Sequence, residues 1–210
     1  MGLLIKKYVD EDVLLGLWNI TETYEELLNS LNFDGDDIKT LNTFNNYNRK
    51  LEWLSVRRLL KELTNNEIKI IYNNDRKPFL SDLSANISIS HSKAYTSIII
   101  SKTKKVGIDL EYMSHRINKI SSRFINENEF VTDSLFLRKY HLYIHWCAKE
   151  TLYKICDKQN INFKKNITIL PFQPRVKGKL EGIVKNESIN ETFILKYFRL
   201  NNYIIVWCSK

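Results

Sequence analysis

The stretch Val106-Gly107-Ile108-Asp109-Leu110-Glu111 alternates with a period of two. Successive side chains of a strand point to opposite faces. Read as a strand, it therefore sends Ile108 and Leu110 to one side and Asp109 and Glu111 to the other. It lies at the midpoint of a chain of 210 residues, and the elements on its two sides follow similar orders. Upstream, Ile87-Ser88-Ile89-Ser90-His91 alternates strictly, and residues 95–101 form a second strand before the one at 105–111. Before these, residues 68–72 read as a short strand. The turn residues Asn73, Asn74 and Asp75 follow, and Pro78 forbids a helix there. Residues 37–63 carry a helical period, with Trp53, Val56, Leu59, Leu60 and Leu63 on the apolar face, and Asp34 to Asp37 supplies a turn and an N-cap. A shorter helical stretch at 21–31 and a strand at 3–9 complete the first half.

Downstream, a weak helical pattern covers 117–130 and a stronger one 135–156. Strands are expected near 167–169, 180–184, 192–199 and 203–208. Lys177-Gly178-Lys179 and Asn201-Asn202 read as turns. The order is β-α-α-β-β-β, then β-α-α-β-β-β-β. The expected fold class is α+β: two similar α+β halves, 1–104 and 105–210, related by a pseudo-two-fold, with an active site in the cleft between them.

Composition narrows the function classes. A hydrophobic fraction of 43% with 27% charged residues excludes disorder throughout. No apolar run approaches the roughly 18–20 residues that span a bilayer. The opening MGLLIKKYVDED turns charged at once and has no small-residue cleavage site, so no secretory signal is expected. Cys147, Cys156 and Cys208 form no CxxC and have apolar neighbours, which points to reduced thiols in a cytoplasmic protein. The net charge of +8 points to an acidic partner: nucleic acid, membrane or acidic protein. A general richness in Asn, Lys and Ile offers a compositional explanation of the same number.

Four constellations can carry chemistry. Asp109 and Glu111 share a strand face, where two carboxylates repel; they need water, a basic partner or a hard divalent cation. Alone, they also read as a solvated face. Trp146, Glu150 and Lys154 recur at i, i+4 and i+8 on the long helix. A surface Glu–Lys pair is the plain reading, although an apolar Trp directly above it argues against a fully solvated face. Ser88-Ile89-Ser90-His91-Ser92 closes a strand with a His among hydroxyls, suited to phosphate or to a structural hydrogen bond. Arg49, Arg57, Arg58, Arg76 and Lys77 form a scattered basic set. His141 and His145 lack the Glu of a zinc protease motif, and neither nucleotide-binding glycine loop is present.

Taken in order, these pieces resemble the 4′-phosphopantetheinyl transferases, specifically the long, two-half, surfactin-synthetase-activating type. The family's Gly-Lys-Pro turn looks like Lys77-Pro78, with Arg76 where the family usually has Gly. Its Ile-Ser-His-Ser strand looks like Ile89-Ser90-His91-Ser92, and its Gly-Ile-Asp-hydrophobic-Glu like residues 107–111. Its Trp-x-x-Lys-Glu-x-x-x-Lys looks like Trp146 to Lys154. Ile120-Ser121-Ser122-Arg123-Phe124 with Glu129, and Glu52-Trp53-Leu54 with Arg57, are similar to further family segments. The matches run from about Arg49 to Lys154.

The resemblance implies an enzyme, a holo-[acyl-carrier-protein] synthase, that moves the phosphopantetheine arm of coenzyme A to a serine of an apo acyl or peptidyl carrier protein. It implies Mg²⁺ held by Asp109, Glu111 and Glu150, with Glu150 as general base on the carrier serine and Lys154 near the pyrophosphate. Arg49, Arg57, Lys77, Ser90 and His91 would hold the 3′-phosphate and adenine end. Its carriers are acidic, which gives the positive charge a use. It further implies a monomer with neither nucleic acid nor membrane as partner. Two other classes remain open at this point. A metal-dependent phosphodiesterase or nuclease would turn over nucleic acid without coenzyme A. A non-catalytic basic binding module would show no Mg²⁺-dependent coenzyme A binding.

Overall fold

A computed structural model describes residues 2–157 and 160–210. It is a mixed α+β chain that divides into two units, Met1–Lys104 and Lys105–Lys210. No helix among the described residues is long and apolar enough to cross a membrane.

The first unit holds β1 (Leu3–Asp10), β2 (Val13–Asn19), α1 (Tyr24–Asn29), α2 (Gly35–Asn42), α3 (Tyr47–Thr64), β3 (Ile70–Tyr72), β4 (Pro78–Leu80), β5 (Asn86–Ser92) and β6 (Tyr95–Ser101). Four strands form an antiparallel sheet in the order β1-β2-β6-β5, and β3 and β4 form a separate ribbon. β2 has no counterpart among the expected strands. Val13, Leu14, Leu15, Leu17 and Trp18 are all buried, so the run shows no alternation to read. The helix expected over 37–63 is two helices. Asp34 caps α2, and Asn46 starts α3 afresh by accepting from the Arg49 N–H. α3 ends at Asn65, whose φ of 58° is left-handed. Its buried Val56, Leu59, Leu60 and Leu63 pack with Leu14, Ile87, Ile98 and Ile100. Fully burying each such side chain contributes about 1.5–3 kcal/mol relative to exposure.

The second unit holds β7 (Val106–Tyr112), α4 (Arg116–Ile120), a 3₁₀ turn (Ser121–Arg123), α5 (Arg138–Ile155), α6 (Phe163–Asn166), β8 (Ile167–Ile169), β9 (Lys177–Lys185), β10 (Asn190–Leu200) and β11 (Tyr203–Ser209). Its five-stranded antiparallel sheet runs β7-β11-β10-β9-β8. α5 packs its Leu142, Ile144, Cys147, Ala148 and Leu152 with Ile204, Val206, Leu195 and Val184. At Gly107 a Cβ would stand 2.6 Å from the Thr151 carbonyl oxygen, so a glycine lets the α5 backbone lie directly on β7.

Two further expectations are corrected in this unit. The helix over 117–130 shrinks to α4 and the 3₁₀ turn. Lys177-Gly178-Lys179 is not a turn but the start of β9, opposite Lys196-Tyr197-Phe198 of β10. Gly178 serves close packing there, because a Cβ would meet the Tyr197 ring at 2.9 Å. The three cysteines are buried free thiols.

Candidate active site

Within the second unit, β7 pairs with β11 so that Asp109 stands opposite Val206 and Glu111 opposite Ile204. Both carboxylates thus share the sheet face that α5 covers. Asp109 is only 4% exposed. A carboxylate so buried needs a cation or donors, and α5 supplies one. Lys154 Nζ donates to Asp109 Oδ1 at 2.8 Å and to the Ile108 carbonyl at 2.9 Å. Cys147, two turns earlier on α5, lies under the same acids. Burial, followed by Asp109 and Glu111, raises its thiol well above the ordinary range, so it is a neutral neighbour and no nucleophile. Glu150 is half-buried, three residues after Cys147 and four before Lys154. That spacing puts all three on the helix face turned to β7.

No three His, Cys, Asp or Glu side chains are gathered into a metal-holding group among the described residues. Mg²⁺ seldom requires such a cage. It takes one or two protein carboxylates and completes its shell with water and phosphate oxygens. Asp109 and Glu111 on one face fit that requirement in number and donor type.

A second polar assembly lies deeper, and the candidate residues did not include it. Lys149, 0% exposed, donates to Glu129 Oε2 at 2.8 Å and to the carbonyls of Phe124, Phe163 and Ile167 at 2.6, 2.9 and 2.8 Å. Glu129 also accepts from the N–H groups of Asn126 and Ile169, each at 2.8 Å. His145 Nδ1 stands 3.6 Å from Glu129 Oε1. Burial alone would raise the Glu129 carboxyl; His145, Lys149 and the Asn126 N–H outweigh it and hold the carboxyl below its ordinary value. This assembly ties residues 124–129, α6 and β8 to α5 one residue before Glu150. Lys149 and Glu129 both lie in segments similar to the family, and Lys149 sits on the same helix stripe as Leu142 and Leu152, an unusual place for a lysine.

In the first unit the structure brings Arg49 and His91 together. Arg49 Nη1 lies 2.6 Å from His91 Nε2, and Glu52 Oε2 lies 3.2 Å from both Arg49 Nη1 and His91 Nδ1. Arg49 donates to Nε2, which leaves the ring proton on Nδ1, facing Glu52. Burial raises the Glu52 carboxyl, but His91 and Arg49 more than offset this and lower it. Glu52 was missed as a site residue because its role depends on a tertiary contact with His91, 39 residues away in the chain. Arg57 lies two turns after Arg49, its guanidinium 3.2 Å from the Trp53 ring centroid and its Nη1 donating to the Trp53 carbonyl. Burial lowers its pKa to about 10, and it remains a cation. Ser90, adjacent to His91, points to the opposite face of β5 and is buried. Its carbonyl accepts from Ser97 Oγ. Lys77 immediately precedes the ribbon strand β4, with its ammonium 5.3 Å from the Phe79 ring centroid. Arg76 before it has a φ of 59°, the left-handed conformation that a glycine adopts freely.

Residues 105–208 match the model of the 4′-phosphopantetheinyl transferase superfamily. The match takes in α5 and all of the second sheet except Ser209, the last residue of β11. It supports phosphopantetheinyl transfer in general, an activity that uses coenzyme A and a carrier protein. No curated protein matches the chain.

Proposed function

We propose that the chain is a phosphopantetheinyl transferase of the long, surfactin-synthetase-activating type, a holo-[acyl-carrier-protein] synthase that loads an acidic apo carrier protein. The observation that carries this reading is the Asp109–Lys154 contact between β7 and α5, with Glu111 on the same face, inside the matched span. A half-buried lysine beside two carboxylates leaves the patch net negative, so a divalent cation can enter it and bring a pyrophosphate with it.

In this reading Mg²⁺, bound by Asp109, Glu111 and Glu150, would supply charge neutralisation at the pyrophosphate. Glu150 accepts the proton of the carrier serine as its hydroxyl oxygen attacks the pantetheine-bearing phosphorus. The bond from that phosphorus to the bridging oxygen breaks, and adenosine 3′,5′-bisphosphate leaves with the electron pair. Lys154 passes donors from Asp109 to the departing phosphate oxygens, where negative charge develops. Arg49, Arg57, Lys77, Ser90 and His91 bind the 3′-phosphate and adenine end. The Ser90 contribution is through its backbone, since its side chain and that of His91 lie on opposite faces of β5. We read the protein as a cytoplasmic monomer, for which the three buried free thiols are in keeping with a reducing compartment.

The test is release of adenosine 3′,5′-bisphosphate from coenzyme A with Mg²⁺, with and without an apo carrier protein. Release that depends on the carrier is expected. Turnover of nucleic acid with no coenzyme A consumption would replace this reading with a nuclease.

A further inference from the structure

The N-terminal end of α5 carries an exposed apolar cluster that the transfer chemistry does not use. Leu135 is 90% exposed and Phe136 94%, with Leu137 and Phe130 each 43% exposed. Large apolar side chains standing together in solvent mark an interaction surface more often than isolated ones do. The cluster is anchored. The Phe130 carbonyl lies 3.1 Å from His145 Nε2, the Thr132 N–H donates to His141 Nδ1 at 3.2 Å, and Arg138 donates to the Thr132 carbonyl at 3.3 Å. Phe130 also lines a groove of about 470 Å³ whose other walls include Phe172, Tyr197, Arg175, Lys177 and Lys179. No carboxylate lines that groove, and these three cations form no ion pair among the described residues.

We propose that this cluster and groove are the docking surface for the carrier protein, an acidic domain with an apolar ridge. The proposal rests on the transferase reading above. Charge complementarity decides the occupant: three unpaired cations beside an apolar patch favour a partner with acids flanking its apolar contact. Position agrees. Glu150 lies twelve residues, about 18 Å, along α5 from Arg138. A domain of about 100 residues has a radius of gyration near 13 Å. One carrier can therefore reach Glu150 with its serine while its flank rests on Phe136 and the groove. The contact supplies binding and orientation, not chemistry.

The experiment uses the full chain and the apo carrier protein that the wild type loads fastest. Phe136→Ser and the double variant Lys177→Glu/Lys179→Glu are compared with wild type. All three side chains are exposed, so unchanged thermal melts are expected. Each variant should raise KM for the carrier by about ten-fold or more, as loss of an aromatic anchor or reversal of rim charge does. kcat and KM for coenzyme A should stay within about two-fold, because neither variant touches the groups assigned to chemistry. Added salt should lower kcat/KM for the carrier in wild type and much less in the charge variant. A carrier KM within about two-fold of wild type in both variants, with transfer intact, overturns the docking surface and leaves the transferase reading standing. No loading of any carrier by wild type overturns both. Two other results also overturn it: a dimer that Phe136→Ser dissociates, or anionic vesicle binding that the charge variant loses, each with carrier KM unchanged.

Discussion

Replacing Lys149 by methionine removes a buried ammonium and keeps most of the side-chain volume. The three N–H groups of the ammonium are shared among one carboxylate oxygen and three carbonyls, all within 2.9 Å. The variant leaves Glu129 ionised and buried with only the Asn126 and Ile169 N–H groups and His145 around it. Breaking a buried pair from one side costs about 3–5 kcal/mol. The upper part of that range is expected, because the Phe124 and Phe163 carbonyls lose this donor too. Ile167 loses less, since its carbonyl also accepts from Asn126 Nδ2. With a urea slope of about 1–3 kcal/mol per molar, the midpoint of the second unit should fall by about 2 M. Amide exchange at Ile169, which donates to Glu129 Oε1, reports on that unit specifically. The double variant Glu129→Leu/Lys149→Met should cost less than the sum of its single variants, because no charge is left buried alone. A single-variant loss under about 0.5 kcal/mol, or additive costs in the double variant, would refute the reasoning.

Glu150→Gln keeps the size and hydrogen bonding of the side chain and removes its basicity, so kcat should fall by about 10²–10⁴ with coenzyme A affinity changing much less; steady-state kinetics at saturating substrates check this, and near-normal kcat in the folded variant would end the general-base role. His91→Ala should erase most of the preference for coenzyme A over 3′-dephospho-coenzyme A, measured as the ratio of the two kcat/KM values, and an unchanged ratio would reduce His91 to a structural partner of Glu52. Burial, with His145 and Arg138 nearby, lowers the His141 pKa to about 4. A depressed folded pKa means stability that is present above the unfolded value near 6.5 and lost as pH falls toward 4, amounting to roughly 3 kcal/mol. His141→Asn retains an acceptor for the Thr132 N–H, so its thermal melt should be flatter than wild type over that interval; parallel pH profiles would contradict the assignment.

Alternation made β5 and β7 legible, because each has one face unlike the other, while β6, buried throughout, was legible from its β-branched Thr96 and Ile98-Ile99-Ile100. β2 hid itself: between β1 and β6, it is apolar at nearly every position and shows no period. The same loss of contrast misplaced the start of β9. Lys177-Gly178-Lys179 has turn composition, but its glycine makes room for a Tyr197 ring contributed by the neighbouring strand, and local sequence does not show that ring. Arg76 raised the opposite difficulty. The Lys-Pro turn usually carries a glycine at that position, and the chain keeps the left-handed backbone with an arginine instead. At the site, strand and helix periods were enough to put Asp109 and Glu111 on one face and Glu150 and Lys154 on another. That the two faces meet depended on Gly107 letting α5 down onto β7. Lys149 and Glu129 each lay in a segment similar to the family, but their pairing was out of reach, since they are 20 residues apart in the chain and joined only by tertiary packing.

The central claim is group transfer by the patch where β7 meets α5. The direct measurement is the intact mass of an apo carrier protein after incubation with the wild-type chain, coenzyme A and Mg²⁺, beside a carrier whose acceptor serine is replaced by alanine. The account predicts a gain of one phosphopantetheine arm on the intact carrier, none on the alanine carrier, and none with the Asp109→Ala chain. An unmodified carrier with folded wild-type protein and Mg²⁺ present, or a gain that survives Asp109→Ala at the wild-type rate, would contradict it.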